Sequence, residues 1–458
     1  MGRRTRTREL ALWMNGERVG TWRIGSAGDE LRYDEAWLDS PHARPLSLSL
    51  PFRPGNAPHR GATVRDWFDN LLPDSPPIRE RIARRFRTQG IGAFELLAEI
   101  GRDCVGALQL LPLDEAPGRF DEIEAEPLDE GEVARLLRAT VSPRIGAAGD
   151  DGEDLRISIA GAQEKTALLW YNGGWWRPSG ATPTTHILKL PLGRVGNLQL
   201  DLRDSVDNEW LCAQVLDAYG IAVARSHPLV FEDQRVLGVE RFDRAWTPDG
   251  SRLLRLPQED FCQATGTPTH LKYEADGGPG IDDILSILAG SRRREADRAD
   301  FFRAQLLFWM LCAPDGHAKN FSIALHAGGA FSSTPLYDAM SAWPYLGEGS
   351  GRLSPHRVRM AMAVRSRNAH WRMREILRRH WEAAGRRNGV VTAAGEGVEA
   401  IIDDIAERTP AVVDAVARRL PEGFPARVAE PIFSGLRGAA ERIAGAREAF
   451  NPGGYRSP

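Results

Sequence analysis

Cysteine and lysine are the scarce residues of this 458-residue chain. The four cysteines, Cys104, Cys212, Cys262 and Cys312, stand far apart with no C-x-x-C among them. That argues against a disulfide framework or a thiolate zinc site and for isolated buried thiols in a reducing compartment. The ten histidines show no H-x-x-x-H spacing, so the helical zinc signature is missing too. No run approaches the ~18 uninterrupted apolar residues of a membrane span. The densest, residues 301–313 (FFRAQLLFWMLCA), carries Arg303 and Gln305 and reads as a buried core helix. The basic opening MGRRTRTREL runs into ALWMNGERVG rather than an apolar segment, so no secretory signal is expected. Arg6 occupies the Ser/Thr position of a myristoylation motif. With 59 basic against 62 acidic side chains, the net charge of −3 provides no overall field for nucleic acid or anionic lipid. The expectation is a soluble cytoplasmic protein with no membrane partner.

What remains is an ordinary globular composition, 42% apolar and 26% charged, over a length that suggests about three domains or lobes. Only four of the 59 basic residues are lysine: Lys165, Lys189, Lys272 and Lys319. In so arginine-rich a chain a retained lysine is either a chance survivor or a site that needs a compact ammonium, as phosphate binding does.

Residues 1–113 read as a first, β-rich module. Residues 10–13, 18–24 and 46–50 (LSLSL) alternate as strands do, 64–72 and 77–87 read as helices, and 104–111 as a further strand. Residues 114–154, ending in GAAGDDGED, read as a linker. From 155 to 257 strand patterns dominate: 156–170 as strand, turn, strand, 185–190 (THILKL) as a strand, and 229–231 with 236–242 as a hairpin. One helix interrupts them, over 207–219, with Ser205 as its cap. Residues 258–458 read as a mostly helical lobe. The fold class expected is α+β, a two-lobed protein-kinase-like fold with an N-terminal β-rich module and a helical C-terminal lobe.

The sharpest chemistry is Asp315-Gly-His-Ala-Lys-Asn320, followed by Tyr337-Asp338. Phosphoryl transfer from ATP needs a carboxylate for the nucleophile's proton and oxygen ligands that hold Mg²⁺ against the phosphates. Asp315 and Asn320 have the D-x-x-x-x-N spacing, Asp338 follows a candidate hairpin over 321–334, and the helix 301–313 would position the loop. A capping Asp and a turn Asn in a surface loop would leave the same trace. Lys189 sits on the ILKL strand as a phosphate lysine would, or as an exposed strand lysine; Glu209 on the next helix is its candidate ion-pair partner. Residues 160–165 (AGAQEK) lie between two strands, where Gly161 would let backbone approach a phosphate, although neither Walker A nor the three-glycine kinase loop is present. Alone this would be a hairpin turn, with Ser158 an ordinary strand serine. His317 would donate to a phosphate or order its own loop. The arginine runs at 292–294 and 372–379 read as solvated helix faces rather than nucleic-acid contacts.

Together ISIAGAQEKTALL (157–169), TPTTHILKLP (182–191), SVDNE (205–209), VERFDR (239–244), LPQED (256–260), KYEADGGPG (272–280) and DGHAKNFS (315–322) closely resemble the HipA family. These are the serine/threonine-kinase toxins of bacterial HipBA toxin–antitoxin systems. ARPLSLSLP, FDNLLPDSP and EIGRDCVGAL in the N-terminal module resemble it too, whereas the likeness thins beyond residue 363. The resemblance implies ATP and Mg²⁺ as cofactors, Asp315 as the catalytic carboxylate, and Asn320 and Asp338 as metal ligands. It implies that Lys189 binds the nucleotide phosphates and that Ala160, Gly161, Ala162, Gln163, Glu164 and Lys165 form the phosphate loop. Glu240, Arg241 and Phe242 would border the adenine, with His317, Ala318, Lys319 and Tyr337 also in the nucleotide site. Ser158 matches a serine whose autophosphorylation inactivates the enzyme; about −2 of charge beside a phosphate cradle opposes ATP. The implied substrate is an aminoacyl-tRNA synthetase, glutamyl-tRNA synthetase in the best-known case, so that translation stalls and dormancy follows. The implied partner is a HipB-like helix-turn-helix antitoxin, through which operator DNA would mainly be met. Two other readings share these residues: a co-repressor with vestigial catalysis, and a small-molecule phosphotransferase.

Overall fold

The computed structural model describes residues 8–141, 158–161, 163–196 and 199–444. In the N-terminal module the alternating segments form strands β1 (Arg8–Met14), β2 (Glu17–Gly25), β3 (Gly28–Tyr33), β4 (His59–Arg60) and β5 (Leu108–Pro112). They build one antiparallel sheet in the order β4-β3-β2-β1-β5. Helices α1 (Ala62–Asp69), α2 (Pro76–Phe86) and α3 (Ala93–Ile100) cover it, with Trp22 stacked on Phe68 at 4.0 Å in their shared core.

Residues 46–50 are not the expected strand. Their alternation has another cause: Leu46 and Leu50 are buried in the module, while the Ser47 and Ser49 hydroxyls donate to the Gln263 carbonyl (3.2 and 2.7 Å). The segment is threaded between two bodies and partitions its side chains between them.

The expected linker is also structured where it is described. Strand β6 (Ala125–Leu128) and helix α4 (Glu130–Val141) belong to the second unit, because Val133, Ala134 and Leu137 cover Leu168, Leu188, Leu190, Phe231 and Val236 of its sheet. Residues 142–154 lie outside the described residues. That sheet comprises β6, β7 (Lys165–Tyr171), β8 (Gly174–Pro178), β9 (His186–Lys189), β10 (Ser226–Phe231) and β11 (Gln234–Glu240), in the order β10-β11-β9-β7-β8-β6. Ser158 is not on a strand; it is held by the N-terminal module, as described below.

Helix α5 (Ser205–Ala218) crosses behind this sheet and is buried along most of its length. Ser205 is its first residue rather than its cap: Asp204 takes the cap position, and the Ser205 hydroxyl accepts from the Leu192 amide (3.0 Å). Val206, Leu211, Val215 and Leu216 extend into the main core, which the helical lobe builds around α6 (Ile281–Leu288), α7 (Arg294–Met310), α8 (Arg378–Arg387), α9 (Val398–Ala417) and α10 (Ala426–Ala444). The apolar run 301–313 is the buried end of α7 and the turn after it, with Phe302, Leu306, Leu307 and Met310 fully covered. The lobe is less purely helical than its composition suggests. The candidate hairpin between Asn320 and Asp338 forms as Ser322–Leu325 and Phe331–Ser333, with Gln258–Asp260 as a third strand, and Arg359–Arg365 pairs with Ala369–Arg372. The four cysteines are free and buried. No helix among the described residues is long and apolar enough to cross a membrane.

Candidate active site

A cleft opens between the second sheet, the loop after α7 and residues 70–74 of the N-terminal module. All four lysines of the chain, Lys165, Lys189, Lys272 and Lys319, line it. Strand β9 ends at Lys189, whose Nζ lies 2.5 Å from Glu209 Oε1 on α5 and 2.8 Å from Asp338 Oδ1. Burial alone would depress this ammonium; the Asp338 and Glu209 carboxylates outweigh it and hold the lysine above its ordinary value. Asp338 is correspondingly held well below the usual carboxylate range: the burial that would raise it is overcome by Lys189 and then Lys165. Its backbone is left-handed (φ 61°), a conformation uncommon for a non-glycine residue.

The Asp315–Asn320 loop supplies the facing wall. The Asp315 carboxylate is more than half exposed at the cleft and accepts from the Tyr273 hydroxyl. Asn320 donates its amide N–H to the Asp315 carbonyl (2.6 Å), leaving its amide oxygen as the group able to meet a cation. Burial lowers the His317 imidazole below its usual pKa, and its Nδ1 is buried with no hydrogen-bond partner among the described residues. The Tyr337 hydroxyl ties the loop to the hairpin through the Lys319 carbonyl (3.0 Å) and the Ser322 hydroxyl (2.5 Å). Its ring faces Phe242, 5.8 Å away.

The segment expected to be the phosphate loop divides. Ile159, Ala160, Gly161 and Lys165 line the cleft, with Lys165 Nζ donating to the Ala160 carbonyl (2.8 Å). Burial, reinforced by the charge of Lys189, pushes the Lys165 ammonium down to about 8. Gly161 has φ +114°, a conformation that favours glycine, and a Cβ there would lie 2.6 Å from Lys165 Nζ and push the end of that side chain aside. Gln163 turns to the Leu190 carbonyl (2.5 Å) and Glu164 pairs with Arg81 of α2. Ala162 lies outside the described residues. The Ser158 side chain is fully buried, its hydroxyl donating to the Leu71 carbonyl (2.8 Å) and its amide to the Asp103 carbonyl (3.1 Å).

Glu240, the last residue of β11, and Arg241 and Phe242 after it border the cleft. The Arg241 guanidinium, however, is committed to Asp103 (3.1 Å) and Asp243 (2.9 Å), in a buried cluster that also holds Arg244 and Arg255. Ala318 is buried in the loop, its amide donating to the Lys272 carbonyl (3.3 Å). Among the residues that sequence reasoning missed are Asn70 and Asp74 from the N-terminal module, Tyr273, which donates to Asp315, and Asp260, whose carboxyl burial pushes up to about 6. The stretch FDNLLPDSP, which carries part of the resemblance, contains both Asn70 and Asp74, and Asp74 pairs with the scarce Lys272 and Lys319 (2.8 and 3.1 Å).

Residues 157–413 match the family model of the HipA-like C-terminal domain, more than half of the chain, and residues 10–111 match the HipA N-terminal domain. The chain belongs to the HipA family. A protein named "Putative kinase Y4mE" from Sinorhizobium fredii is 34% identical over 422 residues, spanning 87% of this chain and 93% of the relative. The serine/threonine-protein kinase toxin HipA of Shewanella oneidensis is 27% identical over 354 residues, 74% of this chain and 76% of the relative. Among solved structures, HipA in the S. oneidensis complex of HipA, HipB and operator DNA superposes with a TM-score of 0.76 at 23% identity, covering 95% of this chain and 97% of that one. The two-lobed HipA kinase-like fold is thereby shown. Within this HipA-family chain, the cleft lies where both lobes and the N-terminal module meet.

Proposed function

We propose that the chain is an ATP- and Mg²⁺-dependent protein serine/threonine kinase acting as the toxin of a HipBA-type system in the cytoplasm. One observation carries the reading: Lys189 bonded at once to Glu209 and Asp338, across a cleft from Asp315 and Asn320. The names of the relatives support it.

The residues present fit a nucleotide with its metal. Asp338 and the Asn320 amide oxygen form a hard, oxygen-only donor pair, and His317 Nδ1 is a buried polar atom awaiting a partner. Among the described residues no cluster of three His, Cys, Asp or Glu forms a self-sufficient cage. The oxygen pair of Asp338 and Asn320 suits Mg²⁺, which completes its shell with substrate phosphates and water. Asn320 and Asp338 would hold it, and the charge neutralisation it supplies would favour transfer.

In this reading Lys189 and Lys165 bind phosphate oxygens, with Glu209 fixing Lys189 from behind. Asp315, open to solvent, orients a substrate hydroxyl and takes its proton, while Tyr273 restricts the carboxylate's rotation. Phe242, Glu240 and the Arg241 backbone border the base. The substrate is an aminoacyl-tRNA synthetase, glutamyl-tRNA synthetase first among them, and its modification stalls translation. A HipB-like antitoxin neutralises the toxin and provides most contact with operator DNA, in keeping with the net charge of −3. Ser158 is the self-modification site. A phosphate there would face the Leu71 carbonyl, so the modified segment has to leave its seat, which dismantles the phosphate loop.

Incubation with labelled ATP and Mg²⁺, with and without glutamyl-tRNA synthetase, tests this. Asp315→Ala is expected to lose at least 100-fold in transfer, on the order of a general base plus its positioning, with an unchanged melting temperature. Unimpaired transfer by that variant would exclude Asp315 as the essential group. Absence of label from the wild type, shown by mass spectrometry to be unmodified at Ser158, would favour a co-repressor.

A further inference from the structure

Asp74 belongs to the N-terminal module yet contacts three separate parts of the cleft. Its amide donates to the Gly161 carbonyl (3.1 Å), extending the bridge between Pro73 and Gly161. Its Oδ2 accepts from Lys272 Nζ (2.8 Å) and its Oδ1 lies 3.1 Å from Lys319 Nζ. Lys319 is held further by the Asn70 carbonyl and side-chain oxygen, both at 3.1 Å. The carboxylate is only 11% exposed, and both lysines line the cleft. A tie between domains needs no cleft-lining partners; here every partner of Asp74 is one.

We propose that Asp74 is a positioning residue for phosphotransfer. Its carboxylate sets Lys319 of the catalytic loop and Lys272, and its amide seats Gly161, so that the N-terminal module is a working part of the cleft. This deepens the kinase reading and rests on it. Lys319 stands directly before Asn320, so its anchorage passes to a metal ligand one residue away. Leu71, three residues before Asp74, holds the Ser158 hydroxyl, so the same short segment secures the start of the phosphate loop at Gly161 and the stretch that leads into it.

Asp74→Asn in the full chain separates positioning from bulk stability. The backbone amide at 74 can still reach Gly161, so its exchange rate reports how firmly that bond is held once the two ion pairs are gone. The cleft becomes one charge more positive, which favours a triphosphate, whereas Lys319 loses its ion-pair partner and keeps only the two Asn70 oxygens. The rate of self-labelling from ATP and Mg²⁺ is expected to fall roughly 10- to 100-fold, the scale of a small misplacement. The Kd for ATP·Mg²⁺ stays within about threefold or tightens, since a weakened geometry and an added charge act oppositely. Asp74→Glu, which keeps the charge, recovers part of the rate. Hydrogen exchange at positions 74 and 158 accelerates while the helix Arg294–Met310 keeps its protection. A full rate in Asp74→Asn overturns the proposal. So does a parallel loss of rate, affinity and melting temperature, which is what a merely structural residue gives. A wild type that transfers nothing defeats the kinase reading instead, and the exchange pattern then decides the clamp alone: unaltered protection at 74 and 158, or loss throughout the chain, overturns it.

Discussion

Removing one buried charge should loosen the N-terminal module from the rest of the protein. Asp103 ends a loop of that module and is buried against Arg241, Arg244 and Arg255 at 3.1, 2.8 and 3.1 Å. It also accepts from the Thr184 hydroxyl (2.6 Å). Asp243 is the second carboxylate, receiving the Gly106 amide at 2.7 Å. Three guanidiniums against two carboxylates leave the cluster one charge positive. Asp103→Asn keeps the shape and leaves it two positive, in side chains that are almost wholly buried. Breaking a buried pair from one side costs about 3–5 kcal/mol, a large share of a typical total of roughly 5–15 kcal/mol. Urea unfolding followed by tryptophan fluorescence should show that loss, concentrated in the first transition because the module and the body need not unfold together. Adding Arg255→Met should then recover about 1 kcal/mol or more through coupling within the cluster. Arg255 is the cation to remove, since burial and its arginine neighbours push it down to about 10 despite Asp103. A loss below about 1 kcal/mol would refute the argument from buried charge, and a deeper loss in the double variant would refute the charge count. The sign with pH follows. Asp103 is held below the usual carboxylate value, its burial outweighed by Arg244 first and then Arg241. Its contribution is therefore complete above the unfolded value of about 4 and is lost as pH falls through the folded one.

With Lys165 at about 8 in the folded protein, kcat/KM for ATP should decline as pH rises through that value, because this parameter reports the free enzyme. Lys165→Arg should abolish the decline, and its persistence in the variant would assign it to another group. Since this lysine's folded value is lowered, its linkage makes folding more favourable as pH rises from about 8 to about 10, the opposite direction to the activity. Gly161→Ala places a Cβ 2.6 Å from Lys165 Nζ at φ +114°. It should cost about 1–3 kcal/mol in a thermal melt and weaken ATP binding by calorimetry, whereas wild-type affinity would show that the loop adapts.

Much of the architecture and the cleft was legible because it rests on local pattern. Alternation marked β1 and β2, and the apolar run marked the buried end of α7 that supports Asp315. The D-x-x-x-x-N spacing and the downstream Asp338 need only a short loop and a hairpin to meet. The count of four lysines was legible for a different reason: arginine replaces lysine wherever a spread, forked cation serves, and these four line one cleft.

Alternation misled where its cause was not a sheet. LSLSL divides its side chains between two bodies, a pattern that only their docking creates. The stretch 114–154 looked like a linker because glycine and aspartate dominate its end, while α4, with just three buried apolar residues, is stabilised by the sheet it covers rather than by its own sequence. Local chemistry made Lys189 a candidate phosphate lysine and gave it a candidate partner in Glu209. Only the tertiary structure could bring Asp338 to the same ammonium from 149 residues away, turn the Arg241 side chain away into the ion cluster, and deliver Asp74 to Lys319. Those contacts join elements whose order along the chain carries no trace of them. They depend on where three packed units come to rest, and that is set by the sum of many apolar contacts, not by any motif.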